Sequence, residues 1–77
     1  MSKGYTSKFI KAVEDADQNK LGVKLARVCI ANEIPANDVA QFMGVTRMTV
    51  YFWFKGEMNV GPKHKEKIEK LVQKLST

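Results

Sequence analysis

Apolar residues along this chain recur at helical intervals, and strand-like alternation is absent. From Ser7 onward, Phe9, Ile10, Val13 and Ala16 fall at i, i+1, i+4 and i+7, which predicts a first helix with one apolar stripe. Ser7 or Thr6 supplies its cap, and the polar run Asp17-Gln18-Asn19 ends it. The segment Leu21 to Asn32 carries two stripes, Leu21/Leu25/Val28/Cys29 and Val23/Ala26/Ile30. A helix apolar on two sides is sandwiched, so the first helix is expected to cover one side and the rest of the domain the other. Ile34-Pro35-Ala36-Asn37 marks a boundary, because proline disfavours the α conformation before it and suits a first helical turn. A short helix follows to about Met43, with Val39, Ala40 and Met43 inward. Gly44 breaks it, Thr46 caps a fourth helix ending near Lys55-Gly56, and a loop through Asn59 and Gly61 leads to Pro62. The last helix places Ile68, Leu71, Val72 and Leu75 at i, i+3, i+4 and i+7, with Glu66 and Lys70 as a favourable i,i+4 pair. The expected fold is all-α: five helices around one core, with no repeat and no linker.

The middle of the stretch GVTRMTVYFWFKGE, from Met48 through Val50, Tyr51, Phe52 and Trp53 to Phe54, is a nearly unbroken apolar and aromatic block. Helical geometry divides it. With Val50 turned inward, Trp53, Phe54 and Thr46 fall on the core side. Met48, Phe52 and Lys55 point away, Thr49 and Tyr51 sit on the flanks, and Arg47 projects from the helix start. Trp53 and Phe54 are therefore read as structural, and Met48, Tyr51 and Phe52 as an outward apolar set.

The composition changes this picture in limited ways. At 77 residues the chain is read as a single domain, and its 44% hydrophobic and 27% charged content is ordinary for a globular protein. With only Cys29 there is no intramolecular disulfide, and Cys29 with His64 is too few ligands for a structural zinc site. Cys29 is read as a small buried hydrophobe. No apolar run reaches the ~18 residues that span a bilayer, and no signal-peptide core follows the start, so a cytoplasmic protein without a membrane partner is expected. One His, one Cys and no carboxylates clustered in an apolar setting leave no nucleophile–base pair to propose, which argues against an enzyme and against a cofactor. The net charge of +5 points toward a polyanionic partner.

The stretch PANDVAQFMGVTRMTVYFWFKGE resembles the helix-turn-helix of the Cro/phage-repressor (XRE-type) family. The family pattern of small residue, turn glycine, hydrophobic residue, hydroxyl cap, β-branched core residue, Trp or Leu, and closing glycine falls on Ala40, Gly44, Val45, Thr46, Val50, Trp53 and Gly56. Each position has a physical reason. Steeply crossed helices need a small side chain where they touch, and a tight turn needs positive φ. The preceding LGVKLARVCIANEI resembles the family's first helix, so the likeness covers roughly residues 21 to 75, and residues 1 to 20 read as an added N-terminal helix.

The resemblance implies a lambda-repressor-like fold and a sequence-specific DNA-binding transcriptional regulator, of the kind found in phage or mobile elements, acting near the bacterial nucleoid. It implies that residues 46 to 55 form a recognition helix in the major groove. Base-edge roles are then carried by Arg47, Met48, Thr49, Tyr51 and Phe52, with Arg47 suited to guanine and Met48 and Phe52 to thymine methyls. Phosphate roles fall to Asn37, Thr46 and Lys55. Useful affinity implies double-stranded DNA bound by a homodimer, with half-sites about one helical turn apart; the N-terminal helix is a candidate dimer element. Two positions depart from the pattern. Ala36 stands where the family often has a phosphate-binding Gln, and the outward face of the fourth helix is apolar. Phe52 accordingly has three readings: a DNA contact, burial by the N-terminal helix, or a dimer contact. Arg47 is a base contact or a plain phosphate or surface arginine, and His64, beside Lys63 and Lys65, is a solvated cap or a phosphate contact. The second functional reading is a protein-interaction module, such as an antirepressor, antitoxin or accessory recombination factor, docking a protein partner on Met48, Tyr51 and Phe52.

Overall fold

The computed structural model describes residues 5–76 and contains, in order, α1 (Ser7–Asp15), α2 (Leu21–Ala31), α3 (Ala36–Met43), α4 (Arg47–Phe54) and α5 (Pro62–Ser76), with no strand among the described residues. The local signals act where the sequence puts them. The Thr6 hydroxyl accepts from the Phe9 amide at 3.1 Å and opens α1. Gln18, from the expected stop, turns its side-chain amide back to donate to the Val13 and Ala16 carbonyls at 2.9 and 2.8 Å, reinforcing the helix end where the Ala16 amide also meets the Val13 carbonyl. Pro35 precedes α3, and Pro62 is the first residue of α5.

The ends of α2, α3 and α4 each use a left-handed residue, whereas α1 ends on an extended Ala16. Gly44 closes α3 at φ 71°, and Gly56 follows α4 at φ 73°. After α2 the same task falls to Glu33, at φ 56°, while the Ile34 amide bonds the Cys29 carbonyl at 2.8 Å. A side chain in this region costs about 1 kcal/mol, so Glu33 is a point of stored backbone strain.

α2 is the central element, with α1, α4 and α5 packed around it and α3 resting on α4. Val23, Leu25, Ala26 and Cys29 of α2 meet Val13, Val50, Trp53, Phe54 and Ile68 in a core that holds no buried polar or charged side chain among the described residues. The two-sided apolar pattern of α2 thus has the sandwiched environment it calls for. Its tightest contact involves no side chain. A Cβ on Gly22 would lie 2.3 Å from the Trp53 carbonyl oxygen, so α2 and α4 cross with their backbones touching. Lys20, just before α2, donates to the Gly56 carbonyl at 2.8 Å and ties the end of α4 to the same crossing. His64 in the first turn of α5 stands 5.5 Å from the Trp53 ring and covers it from outside.

Ahead of α1, Tyr5 is buried, outside the periodic apolar stripe of that helix. Its ring stacks on Phe9 at 5.5 Å and meets Phe54 at 6.3 Å, and its hydroxyl donates to the Ile34 carbonyl. The N-terminal segment is therefore part of the core. Burial pushes the Tyr5 phenol well above its ordinary value, with nearby Cys29, Tyr51 and Asp38 adding to the shift, and burial pushes the Cys29 thiol up to about 12. No helix among the described residues is long and apolar enough to cross a membrane.

Two predictions test this core. Gly22→Ala forces a methyl into the Trp53 carbonyl and should cost about 2–3 kcal/mol in urea unfolding followed by circular dichroism; an unchanged midpoint contradicts the backbone crossing. Because the folded state raises the Cys29 and Tyr5 values above their ordinary 9.0 and 10.0, the stability held in their neutral forms is fully present below about pH 9. It is lost as pH climbs toward the folded values. Unfolding free energy should be flat through neutrality as far as these two groups are concerned and fall above that point, with Cys29→Ala removing the earlier part of the fall.

Candidate functional site

The exposed surface of interest begins at the turn between α3 and α4. Gly44 in the left-handed conformation lets the Val45 amide return to the Ala40 carbonyl at 3.0 Å, and Val45 packs against the core. Thr46 is extended and caps α4. Its hydroxyl oxygen accepts from the Thr49 amide at 3.2 Å and lies 2.9 Å from the Thr49 hydroxyl. This fixes the first turn of α4 and commits both hydroxyls to one another.

On that turn Arg47 and Met48 face solvent, and Met48 is 63% exposed. The first turn of α4 contains no acidic residue, so the positive end of the helix dipole and the Arg47 guanidinium add without local cancellation. Val50, Trp53 and Phe54 are buried on the opposite side, as helical geometry predicts, whereas Thr46, expected on the core side with them, is exposed because it precedes the helix as its cap. The structure therefore brings Thr46, Arg47, Met48 and Thr49 onto one turn, with Phe52 one turn further on the Met48 face.

The outward apolar set is less uniform than its sequence. Tyr51 is half-buried, its ring set edge-on against Phe9 of α1 at 5.2 Å and 81°. Sequence periodicity places Tyr51 on a flank, and α1 occupies that flank, so Tyr51 packs against the core rather than standing free. Phe52 is also half-buried but lies outside the core cluster. Its carbonyl accepts from the Glu57 and Met58 amides at 3.0 and 3.3 Å as the chain leaves the helix. Of the three, only Met48 is fully exposed.

The cationic end of the site is partly engaged. Lys55 Nζ lies 3.5 Å from a Glu57 carboxylate oxygen and 6.0 Å from the Phe52 ring centre. An exposed pair of this kind is worth little and is readily exchanged for another anion. Asn37 is exposed in the first turn of α3, where Pro35 offers no side-chain cap and Asp38 is the neighbouring acid. Ala36, beside it, is buried.

Sequence reading passed over two further exposed apolar residues, Phe42 at 53% and Met58 at 40% exposure. Phe42 was findable, since it falls off the Val39/Ala40/Met43 stripe of α3. Chemically, the α4 start offers a forked cation, an apolar side chain and a helix N-terminus, a combination suited to binding. Among the described residues no three His, Cys, Asp or Glu side chains are grouped to hold a metal ion. No protein-family model matches the chain, and no curated protein or solved structure shows significant similarity to it.

The cap carries a prediction of its own. Thr46→Ala removes the acceptor for the Thr49 amide and should cost about 1 kcal/mol in chemical denaturation, while Thr46→Ser should keep most of it. Equal stability of all three proteins would contradict the capping geometry.

Proposed function

We propose that this chain is a DNA-binding transcriptional regulator of the Cro/phage-repressor type, with α3 and α4 as its helix-turn-helix and α4 entering the major groove. The observation that carries the reading is the turn itself. Two eight-residue helices are joined through a left-handed Gly44, a core-packed Val45 and a Thr46 cap. Val50, Trp53 and Phe54 hold the second helix by one side, so that Arg47 and Met48 stand out at its start. The net charge of +5 supports a polyanionic partner.

On this reading the contacts divide by chemistry. Arg47 grips a guanine edge with its paired donors, and Met48, with the exposed part of Phe52, packs on thymine methyls. Lys55 exchanges Glu57 for a phosphate, and Asn37 with the start of α3 takes another. Thr46 and Thr49, already bonded to each other, shape the helix start and reach DNA only by sharing those oxygens. Tyr51, half-buried against Phe9, is only partly available to DNA. A single domain offers few such contacts, so the DNA-bound form is a symmetric dimer on a palindromic site.

The exposure of Met48 and the Lys55–Glu57 pairing favour one alternative, in which the same face of α4 docks a protein. Titration of genomic fragments at several salt concentrations separates the two. DNA binding predicts a log–log slope of roughly −4 to −5 for about five neutralised phosphates. Arg47→Ala should lose about 1–3 kcal/mol of sequence discrimination, whereas Lys55→Ala should weaken all sequences alike. Absence of retention at low salt, together with a protein pull-down abolished by Met48→Ser, would replace the regulator reading with the interaction module.

A further inference from the structure

Away from α4, the end of α3 and the exposed side of α5 form a groove of about 210 Å³ lined by Phe42, Lys67, Lys70, Leu71 and Lys74. Its floor is apolar, with Phe42 half out in solvent and Leu71 half-buried. Its walls are basic. Lys67 sets its ammonium 4.6 Å from the Phe42 ring centre and donates to the Phe42 carbonyl at 3.1 Å. The last turn of α3 has no basic residue of its own, so Lys67 also supplies the cation that its negative end favours. This double contact holds the ring at the groove while leaving it exposed. A second depression, lined by Lys63, Glu66, Lys67 and Lys70, continues the same basic wall. Helix α5 as a whole carries Lys63, Lys65, Lys67, Lys70 and Lys74 against Glu66 and Glu69.

We propose that this groove docks an acidic amphipathic helix of a partner protein. An aromatic anchor beside a leucine suits the apolar face of a helix, and the flanking lysines suit carboxylates beside that face. Charge complementarity selects this occupant over the others. A second copy of the chain would bring the same lysines against themselves. A nucleic-acid backbone satisfies the lysines and gains nothing from burying Phe42 and Leu71. Glu66 holds Lys70 at 3.3 Å with both side chains largely exposed, a pairing that an incoming carboxylate displaces at little cost. The surface shares no residue with the face of α4, so it stands whether or not the DNA reading holds.

The test uses the full chain and a labelled helical peptide with leucines at i, i+3, i+4 and i+7 flanked by glutamates, followed by fluorescence anisotropy and amide chemical-shift mapping. The expected result is binding that moves the amides of residues 42, 67, 70 and 71. It should weaken about tenfold or more in Phe42→Ser, weaken in Lys70→Glu, and persist in Met48→Ser. Phe42 and Lys70 are exposed, so both variants should keep the wild-type circular dichroism and remain informative. The proposal is overturned if the peptide binds no better than its lysine-flanked counterpart, or if Phe42→Ser leaves affinity unchanged. It is equally overturned if Phe42→Ser leaves peptide binding intact and instead dissociates a homodimer or lowers DNA retention, which would assign the groove to a second copy or to nucleic acid.

Discussion

The close approach of Gly22 to the Trp53 carbonyl sets the geometry of the rest of the molecule. With a would-be Cβ only 2.3 Å from that oxygen, α2 and α4 are held at backbone distance. Everything near the crossing depends on it. Val23, Leu25 and Ala26 meet Val50 and Phe54 at close range, and Lys20 reaches the Gly56 carbonyl to close the end of α4. His64 then covers Trp53 from α5. A small domain buries a modest share of its surface and has little stability to spare, so one intimate crossing matters more here than in a larger protein. The crossing also fixes which side of α4 is outward, and thereby what Arg47 and Met48 can reach.

The same core explains why the exposed face of α4 is only partly available. Buried Tyr5 and half-buried Phe9 form an aromatic pair where they meet α4, and they take Tyr51 into that packing. Phe52 keeps an intermediate position, and Met48 alone stands fully clear. On the proposed function, the binding surface is thus centred on Arg47 and Met48 at the start of α4, with Lys55 as a second cation at the far end of the helix. On that proposal, the surface would discriminate through one arginine fork and methyl contacts and gain strength from charge distributed elsewhere on the protein.

Much of this organisation was legible in the residues. All five helices follow from 3.6-residue periodicity and from punctuation by Thr6, Pro35, Gly44, Thr46 and Pro62, because these signals are local and the structure uses each of them locally. The inward turn of Trp53 and Phe54 followed from angle alone. What escaped were contacts between segments distant in sequence. Gly22 reads as an ordinary helical glycine until its neighbour is known, and Tyr5 reads as a tail residue until Ile34 receives its hydroxyl. The half-burial of Tyr51 against Phe9 has the same origin: periodicity gives a direction on a helix, not what stands in that direction. Glu33, in a conformation where glycine is expected, gives no sequence signal at all. At the candidate site, exposure of Arg47 and Met48 was legible, whereas the Lys55–Glu57 and Thr46–Thr49 side-chain pairings depend on rotamers that periodicity does not specify.

The central claim is that the start of α4 reads base edges in the major groove. Selection of bound duplexes from a randomised pool, followed by methylation of guanine N7 in the enriched sites, tests it most directly. The account predicts an enriched palindrome whose half-sites contain a guanine at which N7 methylation blocks binding, with that interference lost in Arg47→Ala. A pool that shows no enrichment, or an enriched site whose guanine interference persists unchanged in Arg47→Ala, would contradict it.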